Sequence, residues 1–354
     1  MLDFQAVTSR LKKILESTHD KVGAGSLHGA GRDTMNSHQT CRRQFLLNAT
    51  AAAGSTLALP YARLLQAQPA QLETVGLSDG MIAVIGPDAT VLAADSNEGI
   101  ILVDGGHAAW SDALLHTVDD HIGSKPCRAL FNTHWHTEQT GSNEKLGEQG
   151  AQIIAHENTK LWLGTEVWVR WSDKKYAPLP TVARPTTTFY DSHDSTTFQL
   201  GEHEVECGHL LKAHTDGDIW VFFAEENVLA VGGVVSNDGW PIIDWWTGGW
   251  FVGMLDAFET LLQIANEHTR IVPGSGPVMS LADLKSQQQM YLTIFDRLQA
   301  MFTNAFGTDE VLAAKPTAEY DAEWGDPELF LTLAFQSFWG HLRDHHDRRL
   351  RTGA

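Results

Sequence analysis

Two histidines one residue apart, His134 and His136, lie in the segment Asn132-Thr133-His134-Trp135-His136-Thr137-Glu138-Gln139-Thr140-Gly141. An apolar run precedes the segment and a helix-like pattern follows it. Alternate residues of an extended chain point the same way, so both imidazoles can be aimed at one point. Zinc accepts neutral imidazole nitrogens at about 2.0–2.1 Å, and catalytic zinc sites combine three protein ligands with an open position. A third ligand must come from elsewhere. His214 is the candidate, in Ala213-His214-Thr215-Asp216-Gly217-Asp218, just before a predicted strand. With 17 histidines in the chain, an isolated His-x-His is more often a surface or cross-strand pair. The second histidine motif gives this pair its weight.

Other polar groups border the same segments. Glu138, two residues past His136, has two readings: a general base or ligand-orienting carboxylate, and a helix-start carboxylate favoured by the dipole. Gln139 either donates an amide hydrogen bond to a substrate oxygen or packs. Asp104 and Asp218 are expected to bond the backbone of the metal loops. Asp238 and Asp244 are near enough in sequence to reach the site, but their directions are open. The stretches Trp162–Trp171 and Trp240–Trp250 are candidate pocket walls suited to an apolar or aromatic substrate; packing under long loops is the other reading.

These residues need a scaffold. Apolar runs at Met81–Ile85, Thr90–Ala94, Gly99–Val103, Arg128–Asn132 and Gln152–Ala155 are bounded by turn residues and read as buried strands. Trp110–Ile122 and Gly141–Gln149 read as helices, and 157–190 as an irregular stretch rich in Trp, Pro and Thr. A second round of strands is expected near 187–190, 196–199, 203–207, 219–224 and 228–234. A helix at 254–267 and a strand at 270–272 follow. Past 280 the chain turns helical, with Leu329–Leu342 as an amphipathic closing helix. The pattern predicts two packed sheets flanked by helices, an α/β class.

At this point the chain resembles the metallo-β-lactamase superfamily over roughly residues 76–280. The family's strand–Asp–Gly opening falls on Ile101-Leu102-Val103-Asp104-Gly105, and its His-x-His-x-Asp-His motif on His134 to Gln139. Its His-Thr-x-Gly-Asp motif falls on His214, Thr215, Gly217 and Asp218. Its Gly-Asp strand end falls on Gly232-Gly233, and its Pro-Gly-His-Gly turn on Pro273-Gly274-Ser275-Gly276. The resemblance implies a four-layer αββα sandwich, the metallo-β-lactamase fold, over 74–280, with a helical C-terminal extension over 281–354. It implies that His134, His136 and His214 are the first metal site. The second site departs from the family: Glu138 replaces an aspartate, Gln139 a histidine, Gly233 the bridging aspartate and Ser275 a histidine. One zinc ion is therefore expected. A second site built from Glu138 with Asp238 or Asp244 is an alternative.

One zinc on three neutral histidines implies a hydrolase, its zinc-bound hydroxide attacking a small ester, lactone, amide or related substrate, with Glu138 and Gln139 as candidate catalytic groups. The alternative is a non-catalytic binding or accessory protein, for example of a periplasmic quinoprotein system, keeping the fold and one zinc.

The N-terminal region carries an address. Arg42 and Arg43 precede Gln44-Phe45-Leu46, an apolar run of small residues to Leu59, and Ala-rich exits at Ala67 and Ala70. This resembles a twin-arginine signal peptide over 35–70 and implies bacterial export to the periplasm or beyond. The apolar run is too short for a comfortable membrane span. Residues 1–34 read as a leader or a start-site artefact, with Met35 the alternative start. Residues 1–70 hold eight of the 25 Lys and Arg but only four of the 44 Asp and Glu, so the net charge of −19 becomes about −23 beyond them. That balance excludes polyanions such as nucleic acid, and anionic membrane, as partners after signal cleavage; a small-molecule substrate is expected. Cys127 and Cys207, the thiols beyond residue 70, are too few for a cysteine-rich zinc site and read as small buried hydrophobes.

Overall fold

The computed structural model describes residues 72–190 and 195–339. The expected leader, signal segment and last residues of the closing helix lie outside the described residues.

Two sheets form the centre. The first takes β1 (Glu73–Ser78), β2 (Met81–Gly86), β3 (Ala89–Ala94), β4 (Ile100–Val103), β5 (Cys127–Phe131), β6 (Gln152–His156) and, after the hairpin of β7 (Val167–Val169) and β8 (Lys174–Tyr176), β9 (Thr187–Phe189). Strands β1 to β4 are antiparallel, and β4, β5, β6 and β9 run parallel. The second sheet takes β10 (Thr196–Leu200), β11 (His203–His209), β12 (Ile219–Phe223), β13 (Val228–Ser236) and β14 (Arg270–Ser275), antiparallel except for the parallel pair β13–β14.

Side-chain alternation explains the layering. In the first sheet Met81, Ala83, Leu92, Ala94, Ile101, Val103 and Phe131 point inward. They meet Val205, Cys207, Ile219, Val221, Phe223 and Val272 of the second sheet. Their neighbours Ile82, Val84, Val91, Ile100, Leu102 and Leu130 point outward, under Trp110, which caps helix Ser111–Ile122, Leu114 and Val118 of that helix, and Leu146 of helix Asn143–Glu148. Strands buried on both faces are apolar at every position, which is why they read as uniform runs rather than alternations. The outer face of the second sheet packs on helix Phe251–Ile264, helix Leu281–Thr303 and the helix at 328–339, around Phe251, Phe258, Tyr291, Phe295, Phe330 and Phe335. The result is an αββα sandwich with a C-terminal helical region. A capping box, in which Ser280 and Asp283 satisfy each other's backbone N–H groups, starts the long helix. Among the described residues no helix is long and apolar enough to cross a membrane.

Three local readings change. The stretch 157–190 is not irregular throughout: it holds helix Glu157–Leu163 and the β7–β8 hairpin. The strand near 187–190 joins the first sheet, pairing parallel with β6, rather than opening the second. The helix expected at 254–267 starts at Phe251, where Met254 N–H already donates to Trp250 O at 2.9 Å.

Candidate metal centre

The ends of β5, β13 and β14 and the β11–β12 connection meet at one edge of the sandwich, and the three histidines converge there. His134, His136 and His214 are all buried, and their candidate ligand atoms lie within 4.8 Å of one another. Their rings stand nearly perpendicular in pairs: 4.8 Å and 81° between His134 and His136, 4.6 Å and 87° between His134 and His214, and 4.7 Å and 81° between His136 and His214. Ile219 N–H donates to Thr133 O at 2.9 Å, tying the two histidine segments together.

Each ring is fixed through one nitrogen. His214 Nδ1 lies 2.6 Å from Ile242 O; a carbonyl only accepts, so Nδ1 carries the proton and Nε2 a lone pair. His136 Nε2 lies 3.2 Å from Asp244 Oδ2, so Nε2 donates and, in the neutral ring, Nδ1 is left bare. His134 Nδ1 lies 3.0 Å from Thr133 Oγ1. That hydroxyl already donates to Asp104 Oδ2 at 2.7 Å, so it accepts from His134 and leaves Nε2 free. Such distal bonds select the tautomer and orient a ligand. His214 Nε2 and His136 Nδ1 then face each other at 2.9 Å. With His136 protonated on both nitrogens, its Nδ1–H donates to His214 Nε2 across this gap; with both rings neutral, two lone pairs meet there, where a cation would sit.

The electrostatics locate the proton that a metal ion would displace. Burial drives His134 well below the usual histidine range, and the neighbouring histidines push it further down. Burial, with His136 adding to it, takes His214 to about 3. For His136 burial acts downward too. The Asp244 hydrogen bond and the charges of Glu138, Asp244 and Asp218 outweigh it, and His136 rises above its ordinary value. The cluster therefore holds one preferred seat for positive charge. With the His136 proton displaced, three neutral imidazoles converging with free lone pairs are a donor set that fits zinc.

Two aspartates brace the loops. Asp104, in the left-handed region at φ 65°, accepts Thr133 N–H at 2.8 Å and the Thr133 hydroxyl. Asp218 accepts Thr215 N–H and the Thr215 hydroxyl, both at 2.7 Å. Burial raises each carboxyl to about 7, against the pull of those bonds.

Glu138 is one-third exposed, with Oε1 3.5 Å from His136 Nδ1, the bare nitrogen. It borders the place where the lone pairs converge. Gln139 is buried; its Nε2 donates to Gly274 O at 2.9 Å, while Oε1 meets no partner among the described residues. Asp238 accepts from Ser275 Oγ at 2.7 Å and Ser236 Oγ at 3.0 Å. Asp244 sits behind His136, on the nitrogen that faces away from the cluster, so it does not join Glu138 in a second site. Cys127 and Cys207 are both free thiols.

Sequence reasoning missed Thr133, Thr247 and the Ile242 carbonyl. Thr247 donates its hydroxyl to Asp244 Oδ2 at 2.5 Å and accepts Trp135 Nε1–H at 3.0 Å. The one local signal is the Asp244-x-x-Thr247 spacing, a side-chain-to-backbone turn that also brings Thr247 N–H to Asp244 Oδ1 at 3.3 Å. The tryptophan stretches reach the site unevenly. The Trp171 ring lies 6.1 Å from that of His136, whereas Trp162 Nε1 bonds Asp216 Oδ1 at 2.7 Å.

The sequence model of the metallo-beta-lactamase superfamily matches residues 84–277. Among solved structures, the sec-alkylsulfatase Pisa1 from Pseudomonas sp. aligns with 14% identity and a TM-score of 0.58, over 76% of this chain and 50% of its own. A metallo-beta-lactamase from Pontibacter korlensis aligns with 20% identity and a TM-score of 0.49, over 63% of this chain and 99% of its own. DIM-1 metallo-beta-lactamase aligns with 15% identity and a TM-score of 0.47, over 63% and 98%. At these identities the likeness is one of fold.

Proposed function

The chain belongs to the metallo-β-lactamase superfamily, and we propose that within it this protein is an exported hydrolase that uses a single zinc ion on a small ester, lactone, amide or related substrate. The observation that carries the reading is the convergence of three buried histidines, their candidate ligand atoms within 4.8 Å of one another, with the far nitrogens of His136 and His214 already donating. A zinc ion on three neutral imidazoles supplies Lewis acidity and an acidified water at neutral pH. The chain's own groups do the rest. Asp244, Thr133 and the Ile242 carbonyl hold the three rings in register. Glu138, beside the bare nitrogen of His136 and partly open to solvent, is placed to take up a proton and return it to a leaving group.

The single-ion reading is supported by what occupies the family's second site. A Cβ on Gly233 would fall 2.5 Å from His214 Cδ2 and 3.0 Å from His134 Cε1, so a bridging carboxylate has no room there. The Ser275 hydroxyl is bonded to Asp238 and the Gln139 amide to Gly274. Two cations a few ångströms apart need anionic ligands to offset their repulsion, and Glu138 is the one carboxylate among these four positions. Export is supported by Arg42-Arg43 and the apolar run that follows.

The test is zinc per chain in the purified full-length protein and in a His134→Ala, His214→Ala double variant, with hydrolysis of a panel of chromogenic esters and lactones. One equivalent that the double variant loses, with turnover, is the expected result. Two equivalents overturn the single-ion reading. One equivalent without turnover, or no tightly held metal, favours the non-catalytic accessory protein.

A further inference from the structure

The segment from β7 through β8 carries three cations, Arg170, Lys174 and Lys175, against one carboxylate, Asp173, in a chain of net charge −19. The Arg170 guanidinium lies 4.1 Å from the ring centre of Trp168 and 4.7 Å from that of Trp246. Contacts over the indole faces hold a guanidinium through cation–π attraction and stacking. Hydrogen bonds would use the N–H groups in its plane. Arg128, Arg184, Arg270 and Arg297 each donate to a carboxylate, amide or carbonyl oxygen. Arg170 donates to none among the described residues.

This unspent donor opens into a cleft of about 690 Å³. Its walls are Trp171 and Trp246 on one side and Leu329, Leu333 and Gln336, on the helix at 328–339, on the other. Asp326 and Glu328 also line the cleft and form no ion pair with Arg170. Trp171 joins the cleft to the metal centre, since it both lines the cleft and packs its ring near His136. Volume and lining suit a small molecule, with apolar walls for its body and polar groups, Arg170 the one cation among them, to orient it.

We propose that this cleft is the substrate site of the hydrolase inferred above, on which the assignment rests, and that it takes a small organic oxyanion with an apolar body. The anionic group sits on the in-plane N–H fork of Arg170, the body lies against Trp171, Trp246 and Leu329, and the labile bond is directed toward His136. The two indoles already restrict the guanidinium, so binding an anion orders little that was free.

Calorimetric titration of the zinc-loaded full chain with phenylbutanoate, phenylbutanamide and phenylbutylamine tests this. Phenylbutanoate should bind roughly tenfold tighter than the amide, the scale of a charge-assisted hydrogen bond. Arg170→Gln should erase the difference and Arg170→Lys should keep part of it, with zinc content unchanged in both. The carboxylate preference should also survive removal of the metal by a chelator. A preference unaffected by Arg170→Gln, or one that vanishes with the metal, overturns the assignment, because the anion is then bound by the zinc. Tighter binding of the amine overturns it as well, because Asp326 and Glu328 then govern the cleft. A protein that binds no zinc yet keeps an Arg170-dependent preference would retract the hydrolase and leave the anion site standing.

Discussion

Asp244 accepts the Nε2–H of His136 at 3.2 Å although 108 residues separate them, and its own carboxylate is held by the Thr247 hydroxyl and N–H. The pair fixes which nitrogen of His136 is bare. Replacing the carboxylate with a group that accepts no proton leaves the ring free to turn and to change tautomer. Asp244→Ala is therefore expected to weaken zinc binding by about 10–100-fold, the usual cost of losing a ligand's hydrogen-bond partner. Competition against a chromophoric chelator measures it. Unchanged affinity would mean that the ring is oriented by packing against Trp135 and Trp171 alone.

Proton release on zinc binding should depend on pH. His136 is raised above its ordinary value, with burial opposed by Asp244 and Glu138, whereas His214 sits at about 3. Zinc must displace any proton on His136 and finds His214 already neutral. Affinity should thus climb with pH through the titration of His136, with more protons released per zinc at pH 6 than at pH 8. Calorimetry in buffers of different ionisation enthalpy reads that number directly.

The metal-free fold gives a companion result. His214 is depressed, so the unfolded chain binds its proton first, and this group's contribution to stability is lost as pH falls from about 6.5 toward 3. His136 works in the opposite sense: its contribution is present below about 6.5 and is lost as pH rises through its folded value. Denaturant titrations of wild type and His214→Ala across that acid window should converge, with the variant losing less.

Gly233 should tolerate no side chain. A Cβ there meets His214 Cδ2 at 2.5 Å and Nε2 at 2.6 Å, so Gly233→Ala should lose tight zinc and cost about 1–3 kcal/mol in stability, the range of overpacked sites. Gly233→Asp should not recruit a second ion. Metal analysis and a denaturant melt of both variants decide the point; two zinc ions in the aspartate variant would show that the rings can move aside.

Glu138→Gln keeps the shape and removes the carboxylate proposed as the base. Zinc content should stay at the wild-type level while turnover on the best ester of the panel falls about 100-fold or more, the usual contribution of a general acid–base group. A variant as active as wild type would reassign Glu138 to the helix start at Thr137, where a carboxylate is also at home.

What was legible in the sequence was what neighbours along the chain decide. His134 and His136 share a direction because of strand alternation, and β2 to β6 betray themselves as apolar runs because both of their faces are covered. β1 escaped because Glu73–Ser78 is mostly open to solvent and carries no such run. Helix Glu157–Leu163 is only seven residues long and is started by His156, whose ring accepts Asn158 N–H, a cap outside the usual Ser, Thr, Asp and Asn. The direction of Asp244 was hidden for a different reason. Its N–H donates to His214 O, Asp216 N–H donates to Thr247 O, and Trp250 N–H donates to Ala213 O. This lacing joins segments some thirty residues apart, and no local pattern encodes it.

The segment from Ile242 to Trp250 faces two ways at once. It offers the Ile242 carbonyl and the Asp244 carboxylate to two of the three histidines, and it lends Trp246 to the wall of the Arg170 cleft. One stretch of backbone thus borders both the histidines and the cleft. Were an ion on the histidines to strengthen binding against Trp246, a ligand there would raise affinity for the ion by the same factor. The protein would then hold its metal most firmly while it has something to act on.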